Sequence, residues 1–314
     1  MRGIYWVLML LVILTGGCRK EAPPKTVAIR EDGVLELTLC SFNVRYEGDQ
    51  DKSWRAWPNR IDRVVKSLRE IDPDVFGIQE ALHGQAADLR ASMTDYGFFG
   101  VGRDDGKHDG EYAAILWKKD RFAPDVEDQG TFWLSDTPEK AGSKSWGNEV
   151  VRVVTWVRLG DRSTGRSFYV FNTHWDHRSQ ASRERAAPLI AARIDGRKHP
   201  EDPVILVGDF NATRGNPAVD YFVGERVMLS GKNLGPWSGA MKDPYQMLKG
   251  GEKNRRTLHF WEADDGSRLD RLKVDHIFVN GEAKLFDAGI CKAATREAQA
   301  SDHYAVWARA AWVD

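Results

Sequence analysis

The sequence has few cysteines and no motif that would gather them around a metal. Its 314 residues contain three Cys, none in a CxxC pair, which disfavours a structural zinc site. In an oxidising compartment Cys40 and Cys291 could form a disulfide, and two buried free thiols are the alternative. The sequence also lacks GxSxG, which disfavours a serine hydrolase with a nucleophile elbow.

Neither sign of charge predominates in this chain. There are 45 Lys and Arg against 46 Asp and Glu, a formal net charge of −1. Proteins that grip long nucleic acids usually carry a basic surplus, so the balance argues against non-specific DNA binding, although a local basic groove is still allowed. An apolar content of 42% and a charged content of 29% are ordinary for a globular protein.

The amino terminus has an apolar run that is too short for a comfortable transmembrane helix. Residues 4–14 are apolar, whereas a membrane-spanning helix takes roughly 20 residues. The following Thr-Gly-Gly-Cys18 resembles the lipobox of bacterial lipoproteins, in which the Cys is lipidated after cleavage, although Leu14 lies one position further from the Cys than usual. We therefore predict a signal peptide at 1–17, a lipidated Cys and tether at 18–33, and a lipid-anchored protein of the bacterial cell envelope.

The rest of the chain alternates between strand and helix patterns without an interior linker, which favours one domain over 34–314. Several strand candidates show period-two alternation, and the helix candidates carry apolar stripes. Mixed elements in one unit predict a layered α/β fold. The predicted helices are 57–71, 81–93 and 179–196, and the predicted strands are 34–44, 75–80, 111–117, 150–159, 167–175, 204–211, 273–279 and 304–312.

Polar residues recur at the ends of these apolar strands. In the stretch VILVGDFNAT, a buried run finishes with Asp209 and Asn211, which would point to one face of an extended chain. A turn explains one such ending, but the repetition favours a site. The other members are Asn43, Glu80, Glu111, Asn172, His174, Asp275, Asp302 and His303.

This set of side chains predicts metal-assisted phosphoester hydrolysis. Carboxylates and amides without a thiolate suit Mg²⁺ or Mn²⁺, with water or substrate phosphate completing the coordination. A histidine can stabilise the phosphorane oxygens or protonate the leaving group, and an aspartate can orient or deprotonate water.

The motifs SFNVR, IQE, GEYAAILW, FNTHWDHRS, GDFNAT, VDHIF and SDHYAV occur in this order, and together they resemble the endonuclease/exonuclease/phosphatase superfamily over about residues 37–311. The resemblance implies a four-layer α/β sandwich, in which two packed, mainly antiparallel or mixed sheets are flanked by helices. It also implies a phosphodiesterase, phosphatase or nuclease that depends on Mg²⁺ or Mn²⁺.

The resemblance implies a role for each matching position. Asn43, Glu80 and Asp302 match metal-site residues. His174 matches the histidine beside the scissile phosphate and Glu111 its orienting acid, while His303 and Asp275 match the second such pair. Asp209 matches the residue that orients or deprotonates water, and Asn211 matches an amide that contacts phosphate and water.

The sequence does not decide the role of several other residues. Trp175 and His276 depart from the usual Leu and Tyr near the site mouth. His177 is a site partner or a helix start, Arg183 faces the cleft or solvent, and Arg152 is expected to point outward. The segment 253–262 is a phosphate and base platform or, as favoured, a loop anchored by Phe260 and Trp261.

The substrate is not specified by these motifs, and loops 133–149 and 224–262 are expected to select it. The functional alternatives are a nuclease acting on extracellular DNA or RNA and a catalytically dead protein that binds a phosphate ligand. We expect a monomer.

Overall fold

The structure is a computed structural model that describes residues 33–250, 255–262 and 271–313. The predicted signal peptide and nearly all of the tether therefore lie outside the described residues. The helices are α1 (Trp57–Ile71), α2 (His83–Ser92), α3 (Gln180–Asp195), α4 (Pro217–Asp220) and α5 (Pro244–Lys249). No helix among the described residues has both the length and the apolar character needed to cross a bilayer.

Most of the strands belong to two large sheets. In chain order the strands are β1 (Leu35–Asn43), β2 (Val75–Ala81), β3 (Tyr96–Phe99), β4 (Tyr112–Lys118), β5 (Phe122–Trp133), β6 (Val153–Asp161), β7 (Ser167–His174), β8 (Val204–Asp209), β9 (Val227–Leu229), β10 (Lys232–Leu234), β11 (Met241–Lys242), β12 (Asp275–Asn280), β13 (Lys284–Cys291) and β14 (Ala305–Trp312). In the described part of the chain, one sheet has the order β13-β14-β1-β2-β4-β3 and the other β11-β12-β8-β7-β6-β5, while β9 and β10 form a hairpin.

Both large sheets are mixed. The β1/β2 and β7/β8 pairs are parallel, and the remaining described neighbours are antiparallel. This arrangement confirms the predicted fold class.

The alternation of apolar residues explains how the layers stack. In β8, Ile205 and Val207 pack into a core shared by the two sheets, while Val204 and Leu206 pack outward with α3 and α4. Each strand face is buried, as a continuous apolar run requires. On the other sheet α1 and α2 cover the outer face, which gives the order helix, sheet, sheet, helix.

One expectation is wrong, and one alternative that the sequence left open is excluded. Arg152 lies just before β6 and is only 3% exposed, so it does not point outward; Glu111, distant in sequence, faces its guanidinium. Cys40 is a buried free thiol, so it does not form a disulfide with Cys291. In a strand packed against helices, the Cys40 side chain acts as a small apolar group.

Candidate active site

The predicted site residues converge at one edge of the two sheets. In the β7/β8 register His174 lies beside Asp209, and in the β8/β12 register Asp275 lies opposite Asp209. Glu80 and Asn43 come from the facing sheet, yet the Nδ2 of Asn43 donates to Asp209 Oδ2 at 2.9 Å. The strand ends of both sheets therefore meet at a single point.

Glu80 enters the site through an irregularity in β2. Its φ is +67°, which is uncommon for a residue with a side chain, and the β2/β4 register shifts between Ile78 and Ala81. The carboxylate accepts hydrogen bonds from Asn43 Nδ2 at 2.8 Å and from the Tyr46 backbone N–H at 3.1 Å. The bulge thus re-aims one acid toward the sheet edge, as bulges near active sites do.

Asp209 is the centre of the cluster. Its Oδ1 accepts from the backbone N–H of Asn211 at 2.8 Å, and its Oδ2 lies 3.4 Å from His174 Nε2 and 3.8 Å from His303 Nε2. Burial and the nearby Asp275 charge raise the pKa of Asp209, against the opposing effect of the two imidazoles. The side chain is placed to exchange a proton or to hold a water molecule.

His303 is held by an acid. Its Nδ1 lies 2.9 Å from Asp275 Oδ2, and both residues are buried. Burial alone would lower the pKa of His303, but the charges of Asp275 and Asp209 outweigh it and raise the pKa to about 10. This imidazole is therefore a proton donor at neutral pH.

His174 has a different environment. Its Nδ1 is 3.5 Å from Glu111 Oε2, but Arg103 Nη1 donates to that same oxygen and Arg152 Nη1 lies 3.9 Å from it. Burial, and then the Arg152 charge, lower the pKa of His174 to about 3. This imidazole is neutral at physiological pH.

The donor set can hold one divalent cation. The ligand atoms of Glu80, Asp209 and His303 all lie within 4.8 Å of one another, and while His303 is protonated the two carboxylates are the members of this group that can bind a cation. Two carboxylates around one point suit Mg²⁺ or Mn²⁺, which need few protein ligands when water and phosphate complete the shell. Asn43 is hydrogen-bonded to both acids of this group, whereas Asp302 lies 3.7 Å from Arg45 Nη1.

Asn211 lies in a turn and also beside the cluster of polar side chains. Its φ is +47°, its backbone N–H binds Asp209, and its Nδ2 donates to Trp175 O at 2.9 Å. The turn directly after β8 fixes the Asn211 amide beside the Asp209 carboxylate. The suggested roles of these residues stay predictions.

One residue of the polar set does not join the site. Asn172 is fully buried between the sheets, where its Oδ1 accepts from Gln79 and its Nδ2 donates to the backbone oxygens of Ile78 and Ala114. It joins the two layers instead.

The residues whose role the sequence did not decide contact neighbouring side chains and backbone groups. His177 contacts Glu149 at 3.1 Å and Arg152 at 3.2 Å, and Arg183 donates to the Asp176 backbone oxygen. Trp175 and His276 are both buried, so neither lines the site mouth. In the segment 253–262, of which residues 255–262 are described, Trp261 is buried as expected whereas Phe260 is 53% exposed.

Sequence reasoning missed the arginines that support the site. Arg60 is fully buried, and its guanidinium donates to the backbone oxygens of Val44, Arg45 and Ala300. It joins the segment after β1 to the loop that carries Asp302 and His303. Arg60 lies on the buried stripe of α1 with Val64. Its spacing of four residues from Val64 is the sequence feature that could have predicted its burial.

A sandwich with two acid–histidine pairs around a shared aspartate defines a class of phosphoester hydrolases. The family model described as Endonuclease/Exonuclease/phosphatase family matches residues 40–303, and the chain belongs to this family. A comparison with curated protein sequences finds no match.

Solved structures agree with this assignment. An endonuclease/exonuclease/phosphatase from Bacteroides vulgatus is 33% identical, with a TM-score of 0.77 over 88% of this chain and 98% of that one. A mannosyl-6-phosphatase from Bacteroides thetaiotaomicron is 29% identical, with a TM-score of 0.74 over 87% and 99%. TDP2 from D. rerio, solved with a single-strand DNA product, is 17% identical with a TM-score of 0.63 over 88% and 98%, and shares the fold.

Proposed function

We propose that this protein is a Mg²⁺- or Mn²⁺-dependent phosphoesterase. Its favoured substrate is a phosphomonoester of a small molecule such as a sugar. The observation that carries the proposal is the position of Asp209, which lies between two imidazoles of opposite protonation preference and beside Glu80. This arrangement supplies a proton donor, a proton acceptor and an acid for the metal at one point.

The chain's own residues divide the reaction between them. His303, kept protonated by Asp275, donates a hydrogen bond to a phosphate oxygen or a proton to the alcohol oxygen that leaves when its P–O bond breaks. Asp209 accepts the proton of the attacking water, and neutral His174 accepts a hydrogen bond or positions that water. Glu80, with Asp209 beside it, would hold the cation, which when bound neutralises charge on the phosphoryl group.

The monoester is favoured by the relative that acts as a mannosyl-6-phosphatase, because its identity to this chain is well above that of the DNA-bound neighbour. The near-balanced charge of the chain supports the same choice. A nuclease remains the second candidate from the sequence, and a catalytically dead binder the third.

We also propose that the protein is exported and anchored through lipidated Cys18. The support is the sequence of the first 18 residues alone. Metabolic labelling with a radioactive fatty acid should mark the wild-type chain, and Cys18→Ser should abolish the label and release the protein from membranes. Equal labelling of both chains would contradict the anchor.

The function is tested with residues 19–314 and four substrates: a sugar 6-phosphate, a phosphodiester reporter, a lipid phosphodiester and single-stranded DNA. Each is incubated with Mg²⁺, Mn²⁺ or EDTA. We expect EDTA-sensitive release of phosphate from the sugar phosphate, and its loss in His174→Ala. Cleavage of DNA alone would move the assignment to a nuclease, and binding without turnover of any substrate would indicate a dead site.

A further inference from the structure

A cavity that is lined mainly by cationic and other polar side chains lies beside the candidate active site. It has a volume of about 250 Å³, and its walls include Thr213, Arg214, Gln246, Arg255, Arg271 and Lys273. A pocket that encloses a drug-sized ligand has roughly 300–1,000 Å³, and a water molecule takes about 30 Å³. The cavity falls just below the drug-sized range and has room for a phosphate-sized group with several water molecules.

The cavity is close to the catalytic residues in sequence and in the fold. Thr213 follows Asn211 by two residues, and Lys273 precedes Asp275 by two, with its Nζ donating to the backbone oxygen of Asp275 at 3.0 Å. His276, which also lines the cavity, follows Asp275 in β12, so the two side chains point to opposite faces of the sheet. The cavity and the catalytic cluster thus share the start of β12 but lie on its two sides.

Part of the positive charge around the cavity is already compensated. Arg214 pairs with Asp220 at 2.7 Å and with Glu225 at 2.9 Å. Lys273 is buried, lies 4.0 Å from Asp243 Oδ2, and sits over the Tyr245 ring. These two cations are fixed in the wall by partners outside the cavity.

Arg255 and Arg271 differ, because neither has a carboxylate within ion-pair distance among the described residues. The Arg255 Nη1 donates to the backbone oxygen of Gly250 at 2.8 Å, which leaves most of its guanidinium donors available. The Thr213 hydroxyl and the Gln246 amide make no side-chain hydrogen bond to another described residue. Among the residues that the structure describes, the cavity wall therefore presents cations and neutral donors and no acid.

We propose that this cavity is a second anion site that takes a phosphate-sized oxyanion, and that the occupant is a second acidic group of the substrate. Guanidinium groups bind phosphate and carboxylate oxygens through paired N–H donors. A concave wall of one charge sign also concentrates such ligands. From Asn211 to Arg214 the extended chain reaches at most about 10 Å, so a small molecule that passes around the strand ends shared by the two sides of β12 is long enough to reach both sites.

Binding is tested first without catalysis, by titrating inorganic phosphate into the protein in EDTA at constant ionic strength. We expect Arg255→Gln/Arg271→Gln to weaken phosphate binding about tenfold, the size of effect that loss of a hydrogen bond to a charged group produces. Neither arginine is buried, so the fold should survive, which an unchanged Tm without phosphate would verify. His174→Ala should keep the site.

The matched control removes two cations at the other end of the sheets. Lys119 and Arg162 are exposed and follow β4 and β6, whose opposite ends carry Glu111 and Arg152. Lys119→Gln/Arg162→Gln should bind phosphate like the wild type. An equal loss in both double variants, or unchanged binding in Arg255→Gln/Arg271→Gln, would overturn the site.

The occupant is tested by kinetics, a step that rests on the proposed function. A hexose 6-phosphate and a hexose 1,6-bisphosphate are compared, and Arg255→Gln/Arg271→Gln should raise KM about tenfold for the bisphosphate alone. Weakened phosphate binding with both KM values unchanged would mean a site for free phosphate and would refute the assigned occupant. If neither sugar is hydrolysed by the wild type, the proposed function fails, while the titration still decides the site.

Discussion

The two candidate catalytic histidines lie on either side of Asp209 in opposite electrostatic surroundings. His303 has Asp275 at 2.9 Å and Asp209 at 3.8 Å, and the pKa of this imidazole is raised to about 10. His174 faces Glu111 at 3.5 Å, and the pKa of that imidazole is lowered to about 3. The same pairing of acid and imidazole therefore produces two protonation states.

Burial lowers both pKa values; the Arg152 charge lowers that of His174 further, whereas the Asp275 and Asp209 charges raise that of His303. Arg103 and Arg152 both approach Glu111, so much of its negative charge is directed to guanidinium groups before it acts on His174. The described surroundings of Asp275 include the Lys273 ammonium, but that group contacts the Asp275 backbone oxygen and not the carboxylate. An acid beside a histidine stabilises the imidazolium only when its charge is not already neutralised.

Asp209 lies between the two histidines, so its replacement should have the largest effect on activity. In Asp209→Asn the amide cannot take a proton from water, and both imidazoles lose an acidic neighbour. We expect kcat/KM for the accepted phosphoester to fall by about 10³ or more, within the upper range for general acid–base groups. The measurement is initial rate at saturating Mg²⁺ or Mn²⁺, with Lys119→Gln as a control that should keep full activity. An Asp209→Asn rate above a tenth of wild type would refute the central role.

The layout of the central strands could be predicted from the sequence because their side chains are buried on both faces. The runs at 34–44, 75–80 and 204–211 correspond to β1, β2 and β8 within a few residues. β5 was missed, since Pro124, Gly130 and exposed acids interrupt its pattern and its register with β6 shifts. Short β3 has only one buried residue, so its four residues gave no clear periodicity.

The site residues could be listed from the sequence because polar side chains at the ends of apolar strands are conspicuous. The charges that surround these residues in the fold could not be predicted from the sequence. Arg152 reads as an outward charge in an alternating strand, and only the fold shows that it lies buried beside Glu111, 41 residues earlier in the chain. Asn172 shows the reverse error, since its hydrogen bonds join the two sheets and not a ligand. Long-range pairing decides both cases.

Removing one acid at a time would test the comparison directly. Asp275→Asn takes away the charge that keeps His303 protonated, and we expect kcat to fall about 100-fold. Glu111→Gln removes an acid whose charge is shared with two arginines, so we expect about a tenfold fall; both values lie in the range for groups that orient a catalytic ligand. Rates over pH 5–9 provide the measurement. Equal loss of activity in the two variants would show that Asp275 and Glu111 contribute equally, which would refute the proposed difference between the two acid–histidine pairs.

The protonation states can be observed without turnover by NMR of ring-labelled histidine in EDTA. We expect His303 to remain protonated at pH 8 and His174 to remain neutral at pH 5, with assignments from His303→Gln and His174→Gln. Because the pKa of His303 is raised on folding, its contribution to stability is complete below the unfolded value of about 6.5 and is lost as the pH rises through about 10. The buried neutral His174 acts oppositely, since it costs stability as the pH falls below about 6.5. Two ordinary titrations near pH 6.5 would contradict both assignments.

The smallest effect is expected from Arg152→Gln, which changes the His174 side alone. Loss of the guanidinium removes a positive charge that lowers the pKa of His174, and it leaves more of the Glu111 charge to act on the imidazole. We expect the pKa of His174 to rise while that of His303 does not move, and kcat to change by only a few-fold because Arg152 contacts no reacting group. Arg162→Gln, at the far end of β6, should alter neither pKa. A change in the pKa of His303 in Arg152→Gln would show that the two imidazoles are coupled through Asp209. Their different protonation states would then be a property of the whole cluster and not of each acid–histidine pair.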